Sequence, residues 1–281
     1  MVILKKIWVQ CGSALLVLLI TVTVWGKVPE MSSILLQAHN AKQPIPVLSR
    51  FYPDLDVKTA YEVQKKFVTR QLAGDAIGGF QAGLTNENSR KQIGFPSPIA
   101  GVLYRSGQKE NNVVIHAADF RCPAIETEIA FTISKPIVKK IRTKEELKEY
   151  IQAVLPVVAL TEQGFADNKK VRGVDLIAAN VSAVRYITGR AKMLNDIQDP
   201  NAVKTALFHA GQRINEGMGL DAMGDQWEAA LWLVNRSVEQ GWNLQPGQIL
   251  LTGVLGQAVP AKNGRYMADY GELGRIAFTI Q

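Results

Sequence analysis

Two glutamates on one predicted strand are the side chains of this sequence best placed to do chemistry. Residues 125–133 alternate apolar and polar positions, which indicates a β-strand. Side chains alternate between the faces of a strand, so Glu126 and Glu128 share one face, about 6.5–7 Å apart at the backbone. Two carboxylates at that spacing can converge on one hard cation such as Mg²⁺ or Mn²⁺. A strand that turns two acids toward solvent has the same pattern, and the spacing alone leaves that alternative open.

No other motif specifies a reaction class. The sequence has no Gly-x-Ser-x-Gly elbow, which argues against a serine hydrolase. The glycines of residues 217–224 have the wrong spacing for dinucleotide binding and follow no predicted strand. The histidines show neither metal-site spacing nor an H-E-x-x-H pattern; they are His39, His116 and His209.

Helices are predicted in two long stretches, after one capping box, and from Asp199-Pro200, where a capping residue precedes a proline. Apolar residues at helical spacing predict helices within residues 31–73 and at 227–238. A capping box that begins at Thr143 predicts a further helix, whose inward face would include Ile151 and Val154.

Strands are predicted throughout the chain rather than in regular alternation with helices. Apolar and alternating runs place them at residues 113–118, 125–133, 157–160, 176–179, 249–254 and 275–280. This order predicts an α+β domain, not a series of βαβ units.

The composition is that of a folded protein with a modest basic excess. Hydrophobic residues make up 47% and charged residues 20% of the 281, which excludes a disordered chain and a polytopic membrane protein. The net charge of +7 includes a run of Lys and Arg at residues 135–144. That run fits a solvated connection, or contact with an anionic lipid surface or partner. It lacks the interleaved aromatic residues of a nucleic-acid platform, so no nucleic-acid partner is predicted.

Residues 1–26 are predicted to stand apart from the fold. Lys5 and Lys6 precede an uncharged run that ends at Gly26, which is the order of a signal peptide with its cleavage site. We therefore expect export to the periplasm or beyond. The run is about 20 residues long, so an uncleaved membrane anchor is the alternative. The single domain that follows has a helical and loop portion at residues 27–110 and a β-rich core at residues 111–281.

Several collinear stretches resemble one known family. The chain is similar to the 2-keto-4-pentenoate hydratase and oxalocrotonate decarboxylase branch of the fumarylacetoacetate hydrolase superfamily. The central match is Ile-Glu-Thr-Glu-Ile-Ala-Phe at residues 125–131. The other matching positions are residues 60–64, 83–85, 98, 101–103, 178–182, 189, 230–233, 244–247, 249–253 and 271–274.

The resemblance implies a fold, a cofactor and a reaction. The fold would be a mixed β-roll or β-sandwich core surrounded by helices, and the protein would form a homo-oligomer. Glu126 and Glu128 would bind Mg²⁺ or Mn²⁺, which would hold a small 2-keto acid while water adds to its distal double bond. The residues it implies for catalysis are Gln81, Glu162 and Ser182. Those it implies for substrate binding are Thr85, Asn180, Thr252 and Gly253.

The sequence departs from the family pattern at positions that matter for this chemistry. The family's third metal ligand is a glutamate where this chain has Ala159, so we expect a weakened metal site. Glu162 is a candidate replacement, although an offset of three on a strand points to the opposite face. Active hydratases carry a lysine where Gln81 stands, and an amide cannot shuttle a proton. Ala179 likewise replaces an aspartate.

These observations predict a hydratase-like lyase that acts on a small 2-keto or 2-hydroxydienoic acid. The alternative is a catalytically impaired relative that keeps the fold to bind a ligand or a partner. A C–C hydrolase of the acylpyruvate type is disfavoured, because no histidine occurs in residues 81–105 to activate water.

Overall fold

The computed structural model describes residues 26–281. The predicted signal or anchor segment falls almost entirely outside the described residues and stays a prediction. Between residues 26 and 281, no helix is long and apolar enough to cross a membrane.

Three helices open the described part of the chain. They are α1 (Lys27–Asn40), α2 (Leu48–Phe51) and α3 (Val57–Gln71). Asp56 caps α3 by accepting a hydrogen bond from the Thr59 backbone N–H at 2.7 Å, which satisfies a donor that the first turn leaves free. Ala60, Val63 and Phe67 are buried along one face of α3, as their spacing predicts.

Four further helices punctuate the strands. They are α4 (Glu87–Ile93), α5 (Lys144–Lys148), α6 (Gly173–Ala178) and α7 (Gln226–Glu239). Helix α7 is the predicted helix at residues 227–238. It ends before Gly241, whose φ of +74° suits a helix C-terminus.

The strands form two sheets. They are β1 (Ile77–Gly83), β2 (Ile99–Tyr104), β3 (Gln108–Glu110), β4 (Val114–Ile115), β5 (Pro123–Ile133), β6 (Ile151–Glu162), β7 (Ala183–Thr188), β8 (Lys192–Met193), β9 (Lys204–His209), β10 (Gln212–Met218), β11 (Ile249–Val254), β12 (Val259–Pro260), β13 (Gly264–Asp269) and β14 (Arg275–Ile280).

The larger sheet has the order β2-β1-β11-β5-β6-β7-β3, with β12 added beside β5 and β8 beside β6. The smaller sheet has the order β10-β9-β13-β14-β4. Strands β1 and β2 come from the N-terminal portion of the chain, yet they join the same sheet as β5 and β6. The α+β prediction is confirmed.

The larger sheet curls, so that its two faces have different surroundings. Strand β2 lies against β7, although the two are far apart in the strand order. The inner face of this roll encloses a small apolar cluster that includes Ala159, Tyr186 and Leu251. The outer face packs against the helices and the smaller sheet in the main core, which includes Ile125 and Ile129. Glu126 and Glu128 therefore lie on the inner face.

Three predictions of local structure were wrong. The helix expected from Asp199-Pro200 is a single 3₁₀ turn at Pro200–Ala202, and strand β9 begins at Lys204.

The helix after Thr143 ends at Lys148, and Ile151 and Val154 belong to β6. Residues 151–162 are rich in Val and other strand-forming residues that pair along the whole of β5, and this pairing overrides the helical spacing.

The predicted strand at residues 176–179 is instead helix α6. Asp175 accepts a hydrogen bond from the Arg172 backbone N–H at 2.8 Å, which fixes the first turn. The same carboxylate accepts bonds from the Ser49 N–H and hydroxyl at 2.8 and 2.7 Å. A short apolar run is compatible with a strand or a helix, and the sequence pattern does not reveal that contacts with the distant Ser49 will favour the helix.

Candidate active site

Glu126 and Glu128 open into one cavity at the mouth of the roll, which we call the acid cavity. Its volume is about 1610 Å³, and both glutamates line it. Glu128 is 2% exposed, and its Oε2 accepts a hydrogen bond from the Gly253 backbone N–H at 2.9 Å. Glu126 is half-buried, and its Oε1 accepts a longer bond from the Thr161 hydroxyl at 3.4 Å. The structure thus brings together the two residues predicted to bind metal.

Burial dominates the electrostatics of this pair. It raises the pKa of Glu126 from 4.5 to about 7, against the weaker opposing effect of the Thr161 hydrogen bond. Burial raises the pKa of Glu128 well above 4.5, the charge of Glu126 raises it further, and the Gly253 N–H opposes both. Neither glutamate forms an ion pair with another residue of 26–281. Two neighbouring carboxylates, one buried and one half-buried, with no cation of the described chain paired to them, are a donor set that fits a divalent cation.

The described chain brings two carboxylates together here, not three. Among residues 26–281, no group of three or more His, Cys, Asp or Glu side chains could hold a metal ion. Ala159 pairs directly with Glu126 across β5 and β6 and is 2% exposed. It packs in the inner apolar cluster beside Tyr186, its partner on β7. A cation held by Glu126 and Glu128 would therefore complete its coordination with water or substrate oxygens.

Glu162 does not join the pair, and this expectation needs correction. It pairs with Pro123 on the outer face of the sheet, the face that its offset of three from Ala159 indicates. Its carboxylate accepts backbone N–H bonds from Arg121 at 2.8 Å, Cys122 at 2.9 Å and Gly164 at 2.8 Å. These contacts fix the chain where it enters and leaves the β5–β6 pair, which is a structural role.

Gln81, predicted to take part in catalysis, also lines the acid cavity. It lies on β1 and is 4% exposed. Its Nε2 donates a hydrogen bond to the Val181 carbonyl at 3.1 Å. The side chain brings an uncharged amide to the cavity and is anchored to the turn that contains Val181.

That turn has an unusual backbone. Asn180, Val181 and Ser182 have φ values of +59°, +56° and +56°. Three successive non-glycine residues in the left-handed region cost about 1–2 kcal/mol each. Strain of this kind persists where the surroundings fix the backbone, and it is frequent at functional sites. The turn places the Ser182 hydroxyl in the lining of the acid cavity, where this buried oxygen has no hydrogen-bond partner among the described residues.

Asn180 holds the turn in place instead of facing the acid cavity. Its Oδ1 accepts a hydrogen bond from the Val102 N–H at 2.7 Å, and its Nδ2 donates one to the Val102 carbonyl at 2.8 Å. Both ends of the amide are thereby occupied on β2. Asn180 therefore does not make the predicted contact with substrate in this geometry, because its side chain joins the turn to strand β2.

Thr252 also points away from the acid cavity. It is fully buried, and its Oγ1 lies 2.9 Å from the Ile129 carbonyl and 2.6 Å from Gln226 Oε1, toward α7. The predicted substrate contact of Thr252 is therefore not met either, since successive residues of a strand face opposite sides.

Gly253 donates a backbone hydrogen bond to Glu128, and Thr85 packs against Gly253. Gly253 has a φ of +114°, and a Cβ added there would lie 2.2 Å from Thr85 Oγ1, so no other residue fits. That close packing orients the Gly253 N–H toward Glu128. Thr161 lies on the cavity side of β6 and hydrogen-bonds Glu126, and the sequence pattern did not predict a role for it. Knowledge of the β5–β6 register would have identified it.

Comparison with known proteins places this geometry in context. The family model for the fumarylacetoacetate (FAA) hydrolase C-terminal region matches residues 89–281. The 2-keto-4-pentenoate hydratase of Paraburkholderia phymatum is 29% identical over 254 residues, which cover 89% of this chain and 96% of the relative. The 2-oxo-hept-4-ene-1,7-dioate hydratase of Escherichia coli is 25% identical, covering 86% of this chain and 93% of the relative.

The solved structures show the same fold. The 4-oxalocrotonate decarboxylase from Pseudomonas putida G7, complexed with magnesium and adipate, superposes with a TM-score of 0.86 at 24% identity. The match covers 92% of this chain and 99% of that one. This likeness confirms the predicted β-roll architecture. The chain belongs to the fumarylacetoacetate hydrolase family.

Proposed function

We propose that this protein is a hydratase-like lyase that adds water to a small 2-keto or 2-hydroxydienoic acid. The observation that carries the proposal is the pair of glutamates, buried Glu128 and half-buried Glu126, in a cavity large enough for such an acid. The two relatives in sequence, aligned over 96% and 93% of their own length, are named as hydratases. They favour the hydratase over the ligand-binding alternative.

Mg²⁺ or Mn²⁺ is the proposed cofactor, with Glu126 and Glu128 as its protein ligands. The related decarboxylase from Pseudomonas putida G7 was solved with magnesium and with calcium. When bound, the cation would act as a Lewis acid toward the carboxylate and 2-oxo group of the substrate. Ala159 contributes no charge at the site, so we propose weaker metal binding than a site with three carboxylates would give.

The residues of the chain have separate tasks in this proposal. The Gly253 N–H orients the Glu128 carboxylate, and the Thr161 hydroxyl steadies Glu126. The unpartnered Ser182 hydroxyl is free to hold the attacking water or a substrate oxygen. Gln81 can hydrogen-bond the substrate but cannot carry a proton or a positive charge, so its part in the reaction is positional.

Turnover tests the proposal directly. We expect the full chain with Mn²⁺ to hydrate 2-hydroxypenta-2,4-dienoate, seen as loss of the dienoate ultraviolet absorbance. Glu128→Gln should lower kcat/KM at least about 100-fold, because it removes a charged ligand. Glu216→Gln is the matched control: Glu216 lines the same cavity but is exposed. Metal binding without turnover on a panel of such acids would replace the lyase with the ligand-binding alternative.

We also propose that residues 1–26 direct export and are removed. The support is the basic, apolar and small-residue order of the sequence alone. Mapping the N-terminus of the mature protein should give Lys27. A protein that still begins at Met1 in a soluble cytoplasmic fraction would contradict export, and one that begins at Met1 in the membrane would favour the anchor.

A further inference from the structure

A second cavity, which we call the arginine cavity, has no task in the proposed reaction. It has a volume of about 660 Å³ and lies between α1, α3 and the ends of β2 and β7. That volume is within the usual range of small-molecule sites, about 300–1,000 Å³. Apart from Tyr104, the titratable side chains that line it are His39, Arg70, Asp75, Arg121, Glu162 and Arg185.

Two buried polar atoms in this cavity lack hydrogen-bond partners. The Tyr104 hydroxyl and the Gln71 Nε2 are inaccessible to solvent and have no partner among residues 26–281. A buried donor without an acceptor costs as much as its full desolvation, so native proteins rarely leave one unmatched. Both groups can donate. Together they indicate an acceptor that the described chain does not supply.

The positive charge available to a ligand comes from Arg70. Arg121 is paired with Glu162 at 3.5 Å, and Arg185 with Asp119 at 2.8 Å. Arg70 is adjacent to Gln71 at the end of α3, and within residues 26–281 it forms no ion pair.

The remaining contacts of these groups do not cancel that charge. The Nη1 of Arg70 donates only to the Ser33 hydroxyl, at 2.7 Å. Asp75, the other acid of the lining, is already occupied, because it accepts bonds from the Ser106 hydroxyl at 2.5 Å and from the Ser106 and Ala76 N–H groups at 3.2 and 2.7 Å. The cavity therefore offers one unpaired cation and two unmatched donors.

The rest of the wall is apolar. Leu35 and Phe67 line the cavity from α1 and α3, and Val184 lines it from β7. A ligand that satisfies both the donors and this wall has an anionic head and an apolar body. We propose that the arginine cavity binds a small carboxylic acid, with its carboxylate on Arg70, Tyr104 and Gln71 and its hydrocarbon part against Leu35 and Phe67.

This site is distinct from the acid cavity, although only one turn separates them. Ala179 and Asn180 line the arginine cavity, whereas Val181 and Ser182 line the acid cavity. In metal-free protein the acid cavity has no cation at Glu126 and Glu128 to hold a carboxylate, and the variants below separate its basic lining from that of the arginine cavity. Binding of an acid that depends on Arg70 and Tyr104 is a property of the arginine cavity, and it does not depend on whether the proposed hydratase activity is correct.

The test is a calorimetric titration of the metal-free full chain with hexanoate, with acetate and hexylamine as matched probes. We expect hexanoate to bind in the millimolar range or tighter, acetate more weakly because it lacks the apolar body, and hexylamine not at all. Arg70→Gln and Tyr104→Phe should each weaken hexanoate binding about tenfold. Arg213→Gln is the control: Arg213 lines the acid cavity and should leave the affinity unchanged.

Three results would overturn the proposal. The first is that hexanoate does not bind at 20 mM, roughly the weakest affinity of interest. The second is that hexylamine binds as well as hexanoate. The third is that neither Arg70→Gln nor Tyr104→Phe weakens hexanoate binding. Tyr104→Phe removes only an oxygen, so it keeps the test decisive if Arg70→Gln is poorly folded.

Discussion

At the scale of single residues, the glutamate pair destabilises the folded protein when no metal is bound. Burial raises the pKa of both side chains, to about 7 for Glu126, compared with 4.5 in the unfolded chain. Between these pH values the folded state binds more protons than the unfolded state. The free energy of unfolding therefore falls as the pH rises through that window. A bound cation offsets this effect, because it binds only the folded site.

Replacing the Glu128 carboxylate with a neutral amide should restore the free energy of unfolding that is lost as the pH rises. In metal-free protein at pH 8, Glu128→Gln should raise the free energy of unfolding by about 1–3 kcal/mol, because it removes a carboxyl whose pKa rises on folding. At pH 5 the gain should be much smaller, because that pH is close to the ordinary pKa of a glutamate, where a raised pKa changes stability little. Urea unfolding at the two pH values measures it. Glu216→Gln, an exposed change, should shift neither, and a Glu128→Gln protein less stable at pH 8 would contradict the raised pKa values.

Asn180 contributes to the stability of the fold through the hydrogen bonds of its side-chain amide, not to substrate binding. Asn180→Ala leaves the buried N–H and carbonyl of Val102 without side-chain partners, and it puts a residue less tolerant of positive φ into the turn. We expect a loss of about 2–4 kcal/mol of unfolding free energy in thermal or urea unfolding. Asn88→Ala, on the exposed rim of the acid cavity, is the control. A loss no larger than the control's would show that the Asn180 amide is not needed.

At the scale of elements, the pairing of β5 with β6 decides which side chains can lie beside Glu126 and Glu128. The alternation within residues 125–133 is enough to predict that Glu126 and Glu128 share a face, because facing within one strand is a local property. The same rule places Glu162 on the other face. It is the β5–β6 register that puts Ala159 directly opposite Glu126, and that register depends on pairing along 12 residues of β6.

A glutamate in place of Ala159 should restore a third ligand. Directly paired residues have Cβ atoms about 4.5–5.5 Å apart, so the new carboxylate can reach the cation held by Glu126. We expect Ala159→Glu to tighten Mn²⁺ binding at least tenfold (about 1.4 kcal/mol) and to destabilise the metal-free protein, because Ala159 is buried in an apolar cluster. Ala159→Gln has nearly the same shape without the charge. If both variants bind Mn²⁺ equally, position 159 does not face the metal.

At the scale of the whole molecule, the site depends on contacts that no local pattern reveals. Asn180 reaches Val102 across 78 residues, and Thr252 contacts Gln226 across 26. Family resemblance nominated both as substrate contacts, whereas the folded chain uses them to hold its own elements together. The curl of the larger sheet has the same origin, since it brings β2 against β7. Composition and periodicity predicted the α+β class and the acidic strand, but not which of the candidate polar side chains face the cavity.

The central claim is that Glu126 and Glu128 bind one divalent cation. Titration of the metal-free full chain with Mn²⁺ at pH 8, followed by electron paramagnetic resonance of the free ion, measures it. We predict one Mn²⁺ per chain, with affinity at least about tenfold weaker in Glu126→Gln and in Glu128→Gln, and unchanged in Glu162→Gln. No saturable binding, or binding that survives the loss of both carboxylates, would contradict the account.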